Sequence, residues 1–256
     1  MSVSGRLTKI RNQLLQEGRV SVSALSKAYE VSPETIRRDL AVLCREGPAE
    51  RIYGGARLKN GEILKSGEKN NSFALRRNLH REEKQKIAFL AATLVSSGAS
   101  ISCDGSTTAL ELIRSLENRE DITVLTNAAS ALPELVHGRF RTIQTGGMLK
   151  NGSGYLTGED ALENVQNYYC DFFFASCRCI DRDGCIYDDL ESETSVKAGL
   201  RERSSVKVLL ADHTKLMMTG ERRWGRLEDF DVLVTDRDPG EVYVRMCEES
   251  KVRLLY

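Results

Sequence analysis

Thr35, Arg37 and Arg38 have the types and spacing to hold a polyanion. They follow Val31-Ser32-Pro33-Glu34, where a serine at the N-cap, a proline at the first helical position and an acid in the first turn predict a helix start. At ~100° per residue, Ile36, Leu40 and Leu43 fall within about 60° of one another as a narrow apolar stripe. Glu34, Arg38, Ala41 and Arg45 point the other way, and Thr35 and Arg37 flank the stripe. Guanidinium groups pair bidentately with a guanine edge or clamp a phosphate, and the Ser32 and Thr35 hydroxyls reach either. A second group of residues suits a small anion. Asp104-Gly105-Ser106-Thr107-Thr108 is a run of small and hydroxyl residues ahead of a helix. Backbone N–H groups can approach an anion there, and the helix N-terminus adds favourable partial charge. Asn127, Gly146-Gly147, Asp212, Lys215 and Asp236 each follow an extended segment and could converge on the same crevice. Glu193 and Lys197, four apart on a helix, read either as a surface ion pair or as pocket residues with Lys197 facing a phosphate or hydroxyl. Spacing by itself favours the surface pair.

The elements around the first group are short helices in a fixed order. Leu7, Ile10 and Leu14 recur at helical spacing up to Gly18, and a second helix runs from Ser21 or Val22 to Tyr29 with Leu25 and Ala28 inward. The helix bearing Arg37 and Arg38 is third and stops at Gly47-Pro48. An arginine pair alone suits a solvated helix, but three short helices in this order predict a helix-turn-helix whose last helix enters the major groove. Ala49 to Leu58 then reads as a hairpin around Gly54-Gly55, a wing whose Arg51 and Arg57 meet phosphates. Charge agrees: residues 1–58 hold ten Lys/Arg against six Asp/Glu, while the whole chain is neutral. A basic end on an acidic body fits a polyanionic partner touched at one end.

Lys59 to Ser72 is rich in Lys, Gly, Asn and Ser and reads as a linker. Beyond it, Glu82 to Val95 is expected to be helical. Strands are expected at Ala99–Cys103, Thr123–Thr126, Arg141–Gln144, Asp171–Ser176, Val206–Ala211 and Phe230–Thr235. Helices at Thr108–Leu116, Ala128–Val136 and Glu193–Arg203 lie between them, and the alternation predicts an open α/β sheet. Phe172-Phe173-Phe174 belongs to the core of a central strand. Asp188, Asp189 and Glu191 read as a solvated acidic loop. Cys177, Cys179 and Cys185 match no common zinc spacing, and His80, His137 and His213 are not placed to complete one, so neither metal nor cofactor is expected. Seven cysteines at irregular spacing without a secretory start point to reduced thiols in the cytoplasm. The longest uncharged stretch, Ile87 to Cys103, is too polar for a membrane span.

The run Val31-Ser32-Pro33-Glu34-Thr35-Ile36-Arg37-Arg38-Asp39-Leu40, followed by Gly47, Arg51 and Gly54-Gly55-Ala56, resembles the DeoR-type family of bacterial regulators. Asp104-Gly105-Ser106-Thr107-Thr108, Thr126-Asn127, Gly146-Gly147, Asp171, Gly184, Glu193, Lys197, Asp212 and Lys215 match the sensor half of the same family. The resemblance implies a winged helix-turn-helix (3–58, with the motif itself at 20–39), a linker (59–72) and an α/β sensor domain similar in fold to ribose-5-phosphate isomerase (73–256). It implies a DNA set of Ser32, Thr35, Arg37, Arg38, Arg51, Tyr53, Gly54 and Gly55. The implied effector set is Asp104, Gly105, Ser106, Thr107, Thr108, Asn127, Gly146, Gly147, Glu193, Lys197, Asp212 and Lys215. The function implied is a repressor of a carbohydrate operon that binds a double-stranded operator as an oligomer and responds to a phosphorylated sugar. The alternative is a sugar-phosphate isomerase with an added helical module, using Asp104, Glu193, Lys197 and Asp212 as acids and bases. This chain departs from the pattern at Ala49, Pro48 and Tyr53 in the wing. It departs again where Gly105-Ser106 exchanges the usual Ser-Gly, a change expected to move the left-handed position in that loop. Gly158-Glu159 replaces Gly-Pro, and Ser176 to Asp181 replaces a smaller turn, with Arg178 filling the pocket or adding an anion contact.

Overall fold

A computed structural model describes residues 6–7, 9–10, 13–14, 19–46, 49–58, 73–150, 153–188 and 191–256, excluding the side chains of 45, 46, 58, 74, 75 and 191–193. The expected linker, the expected helix ends at Gly18 and Gly47-Pro48, and Asp189 lie outside the described residues. Contacts divide the chain into two compact units, residues 1–79 and 80–256.

In the first unit, Arg6, Leu7, Lys9, Ile10, Gln13 and Leu14 are helical. Strand β1 (Arg19–Ser21), helices α1 (Val22–Tyr29) and α2 (Pro33–Glu46), and strands β2 (Ala49–Ile52) and β3 (Gly55–Leu58) follow, with α3 (Phe73–Asn78) last. Ser21 starts α1 by accepting the Ala24 amide at 3.1 Å, and Glu30 ends it in the left-handed region at φ 53°. Ile10, Leu14, Val20, Val22, Leu25, Ile36, Leu40, Ala49 and Ala56 form one buried cluster, so the apolar stripe of the third helix is inward as its spacing requires. Two features escaped the sequence. Asp39 is buried and accepts two bonds from Arg6, at 2.6 and 3.3 Å, tying the first helix to the third. Residues 19–21 form a third strand, in the order β1-β3-β2. A side chain at Gly55 would put its Cβ 1.9 Å from the Val20 carbonyl, so this strand can close on the wing only over a glycine.

The second unit is built on a parallel sheet of seven strands, in the order β15-β14-β12-β9-β4-β5-β6. These are β4 (Ser100–Cys103), β5 (Thr123–Thr126), β6 (Arg141–Gln144), β9 (Cys170–Ser176), β12 (Ser204–Leu210), β14 (Val232–Val234) and β15 (Arg253–Leu255). Helix α4 (Arg81–Ala92) precedes β4, and α5 (Thr107–Ser115), α6 (Leu132–His137), α7 (Glu159–Gln166), α8 (Glu191–Glu202) and α9 (Glu241–Ser250) lie in the connections between the strands. Phe173 and Phe174, adjacent on central β9, are both fully buried, as a strand covered on both faces requires. Leu125, Phe173, Ala175, Leu209 and Leu233 meet Val165 of α7 and Val196 and Leu200 of α8 in one core. A ribbon of β7 (Met148–Lys150) and β8 (Tyr155–Thr157), and a small antiparallel sheet of β10 (Cys179–Ile180), β11 (Cys185–Asp188) and β13 (Arg222–Arg226), complete the unit.

The expected α/β alternation is present, with local differences. The segment expected as one helix from Ala128 to Val136 is a 3-10 turn at Ala129–Ala131 followed by α6, whose first turn holds Pro133. The last expected strand shortens to Val232–Val234 because Leu227–Asp229 make a 3-10 turn and the Phe230 amide bonds Leu227 O at 3.0 Å. Among the described residues no helix is long and apolar enough to cross a membrane, and no group of His, Cys, Asp or Glu is arranged to hold a metal. Cys177 is buried, and burial pushes its thiol up to about 12.

Asp171 joins the N-terminal ends of β9 and β4. Its Oδ2 accepts the Ser100 amide and hydroxyl, each at 2.7 Å. The amide and then the hydroxyl of Ser100 hold its carboxyl below the usual range against a smaller opposing effect of burial. A depressed folded-state pKa contributes stability that is present above the unfolded value, ~3.9, and is lost as pH falls through the folded one. Asp171→Asn is therefore expected to lower stability at pH 7, and the gap from the parent should shrink as urea titrations are taken below about pH 4. A gap that held constant down to pH 3 would contradict this.

Candidate functional site

In the first unit, Ser32 caps α2. Its Oγ accepts the Thr35 amide at 3.2 Å and shares a hydrogen bond with Thr35 Oγ1 at 2.9 Å. Arg37 and Arg38 are exposed on the first turns of the helix. Arg37 Nη1 meets Glu34 Oε2 at 3.0 Å, with both side chains more than half exposed. Such a pair is worth ~0.3–0.5 kcal/mol and is readily exchanged for a phosphate. Both wing arginines have partners within the chain. Arg51 Nη1 donates to the Arg37 carbonyl at 2.9 Å, bracing β2 on the recognition helix. Arg57 Nε pairs with Glu50, directly opposite on the hairpin, at 2.6 Å. Tyr53 is fully exposed at the tip beside Gly54, which sits at φ +78°. Gly55 is buried beneath Val20 and serves strand pairing.

In the second unit the strand ends of β4, β9 and β12 meet around Ser176. Asp104 Oδ1 accepts the Ser106 amide at 3.1 Å, closing its own loop, while Oδ2 accepts the Ser176 amide at 3.1 Å. Lys197 Nζ lies 3.1 Å from Asp104 Oδ2 and 2.7 Å from Asp188 Oδ2, and donates to Ser176 O at 2.9 Å. Lys215 Nζ donates to Ser176 Oγ at 2.6 Å, and that hydroxyl donates to Leu210 O at 2.6 Å. Asp212 accepts the Thr214 amide at 3.1 Å and its hydroxyl, and its Oδ2 is 3.8 Å from Lys215 Nζ. Burial opposes ionisation of Asp212, but Lys215, the Thr214 hydroxyl and the charges of His80 and Lys84 hold its carboxyl below the usual range. Ser176, which no spacing argument singled out, thus uses its amide, carbonyl and hydroxyl to join Asp104, Lys197 and Lys215.

Lys197 corrects two readings. It is 1% exposed, so it is no surface partner of Glu193, whose side chain lies outside the description. Its ammonium is shared between Asp104 and Asp188. Asp188 is accordingly buried at the end of β11 and is not part of a solvated acidic loop. No spacing rule finds this triad, because its members lie just after β4, on β11 and on α8 and meet only when the sheet is assembled. Arg178, by contrast, is exposed.

The Asp104–Thr108 loop is closed by the expected chemistry and a different geometry. Ser106 is the N-cap of α5, accepting the Ala109 amide at 3.1 Å, and Thr107 and Thr108 begin the helix. Gly105 does not take the left-handed conformation expected of the exchanged pair. Its missing Cβ makes room for Tyr155, whose own Cβ would lie 2.6 Å away. Gly105→Ala is expected to lower stability by about 1–3 kcal/mol through overpacking, measurable as a lower urea midpoint at unchanged slope. A midpoint equal to the parent's would show that Tyr155 yields freely. Gly146 and Gly147 are left-handed, at φ +68° and +96°, and a Cβ on Gly147 would sit 2.6 Å from Thr157 O. Thr157 is the last residue of β8, so the turn that enters β7 packs against β8 only over a glycine. Asn127 is buried, and its Nδ2 donates to Leu156 O at 3.0 Å. Asp236 accepts the His213 amide and Nδ1 at 2.7 and 2.9 Å, fixing the turn that carries Lys215.

Comparison with known proteins identifies both units. The DeoR-like helix-turn-helix domain matches residues 6–62, and the DeoR C-terminal sensor domain matches residues 79–237. The chain is 34% identical over 246 residues to the HTH-type transcriptional regulator GolR of Listeria innocua, covering 96% of this chain and 95% of that protein. It is 31% identical over 256 residues to the glycerol-3-phosphate regulon repressor of Haemophilus influenzae, covering 100% and 97%. It is 30% identical over 251 residues to the HTH-type transcriptional repressor GlcR of Bacillus subtilis, covering 98% and 95%. Among solved structures, ribose 5-phosphate isomerase A of Methanocaldococcus jannaschii aligns with a TM-score of 0.41 at 18% identity, over 53% of this chain and 54% of that one. With both of its units matched and its relatives aligned nearly end to end, the chain belongs to the DeoR family of helix-turn-helix transcriptional regulators.

Proposed function

We propose that the protein is a repressor of a carbohydrate operon that reads its operator with α2 and the wing and is released by a phosphorylated sugar held at the strand ends of the second unit. The observation that carries this reading is the presence, in one chain, of a recognition helix with Arg37 and Arg38 exposed and an anion loop capped at Ser106. Ser32, Thr35, Arg37, Arg38 and Tyr53 meet the duplex. Arg51, Gly54 and Gly55 hold the wing in register. The effector's phosphate is taken by the Thr107 and Thr108 amides at the start of α5 and by Lys215. Asp104, Lys197 and Asp212 keep those groups in place. The protein acts in the cytoplasm as a dimer or higher oligomer, since such modules read paired half-sites. A regulatory role is supported over isomerisation by the state of the candidate acids and bases. Asp104 and Lys197 are ion-paired to each other, an arrangement that suits a structural brace.

Release requires that the effector bind the DNA-free state more tightly than the DNA-bound state. The test is operator binding across a salt series, with and without sugar phosphates. Affinity should fall steeply with salt, and one phosphate ester should weaken it further. Effector binding can be followed separately by the emission of Trp224, the single tryptophan, whose ring centroid lies 5.3 Å from Lys197 Nζ. Salt-independent operator binding, or turnover of pentose or hexose phosphates by the full chain, would overturn the reading.

A further inference from the structure

Beside the anion loop, two amides, Asn127 buried and Gln144 half-buried, are each pinned by one end. Asn127 Nδ2 donates to Leu156 O at 3.0 Å, and Gln144 Nε2 donates to Ala128 O at 3.2 Å. Because the nitrogen of each is bound to a main-chain carbonyl, the oxygen is fixed as an acceptor. Among the described residues neither Asn127 Oδ1 nor Gln144 Oε1 meets a donor, and Ser130 Oγ is likewise shut from solvent without a partner. The three belong to one corner. Gln144 pairs in register with Thr126, the residue before Asn127, and Ser130 lies three residues beyond Asn127. The same corner adjoins the anion loop. The Leu156 amide bonds Asn127 O at 2.7 Å, the Ser130 amide bonds Gly154 O at 2.8 Å, and Tyr155 between them packs on Gly105. Thr108 Oγ1, on the loop side, is also buried and unpartnered.

Buried polar atoms in folded proteins are nearly always satisfied, and two fixed acceptors can be satisfied only by a group that donates. A carboxylate brings more acceptors and a negative charge, and a sugar hydroxyl brings the donor they lack. We propose that Asn127 Oδ1, Gln144 Oε1 and Ser130 Oγ form the hydroxyl-reading end of the effector site. The effector is then a phosphate ester whose far end carries free hydroxyls and no carboxylate. This rests on the sensor reading above and adds to it Ser130, Gln144 and the chemical class they select. The oxygens are closed to solvent in this structure, so binding requires the corner to open.

The full-length protein would be titrated with matched pairs: glycerol 3-phosphate against 3-phosphoglycerate, and glucitol 6-phosphate against 6-phosphogluconate, with inorganic phosphate as reference. In at least one pair the alcohol is expected to bind 100-fold or more tightly than the acid. Gln144→Met should weaken that alcohol about tenfold, close to the effect of one lost hydrogen bond. It should leave inorganic phosphate unchanged. Ser130→Ala, a smaller change that spares the fold, should weaken the alcohol in the same direction. If acids bind as well as alcohols, or if both variants keep full selectivity, the inference falls while the phosphate sensor stands. If no phosphate ester and no inorganic phosphate binds the parent protein, both fall together.

Discussion

Lys197→Met is expected to destabilise the second unit by about 3–5 kcal/mol, the range for removing one partner of a buried ion pair. Methionine keeps most of the stem, so the cavity is small and the loss is chiefly electrostatic. Asp104 Oδ2 and Asp188 Oδ2, at 3.1 and 2.7 Å from the ammonium, would be left as buried carboxylates facing each other. Desolvating a charge without a partner costs far more than the pair itself contributes. The cation over the Trp224 ring would also be lost. Equilibrium urea unfolding gives the measurement, and Asp188→Asn in the same background supplies the internal control. Neutralising one carboxylate should restore about 1–2 kcal/mol, an interaction that a double-mutant cycle isolates. If Lys197→Met were as stable as the parent and only the effector response were lost, the lysine would be a ligand contact, and the brace described here would be wrong.

Replacing Arg37 and Arg38 together by alanine is expected to weaken operator binding by about 2–6 kcal/mol, from ~1–3 kcal/mol per specific arginine contact. Both side chains are exposed, and the Arg37–Glu34 pair is superficial, so the melting temperature should stay within a degree or two. The salt dependence separates their tasks. An arginine on a phosphate lowers the slope of log affinity against log salt by ~1 when removed, whereas one on a guanine edge relaxes sequence preference at that position. Arg51→Ala should act differently, because Arg51 holds the Arg37 carbonyl at 2.9 Å. It should lower affinity by loosening the wing as well as by removing charge. Unchanged operator affinity in the double variant, with the fold intact, would remove α2 from the interface.

Much of the site was legible before any coordinates. The cap at Ser32, the start at Pro33 and the stripe of Ile36 and Leu40 are local, and they fix which face of α2 is free. The run from Asp104 to Thr108 announced a strand-to-helix turn, and Ser106 caps that helix as its type predicts. Asp39 was not legible, because its partner Arg6 lies thirty-three residues away and the helical spacing leaves the position on a boundary. Asp188 looked like a solvated acid because Asp189 and Glu191 follow it closely with the same charge and nothing local marks it as buried.

Residue types and their spacing alone determined the order of helices and strands, the module that meets DNA and the loop suited to an anion. Each of these depends on interactions within a turn or two of chain: caps, apolar periodicity and fixed backbone preferences. Tertiary structure decided which charges are available to a ligand. Lys197 is paired with Asp104 and Asp188, Arg51 reaches the backbone of α2, and among the described residues the oxygens of Asn127 and Gln144 meet no donor. The physical reason is that the availability of a polar group is set by desolvation and by partners brought from distant strands. Neither quantity exists until the sheet has closed.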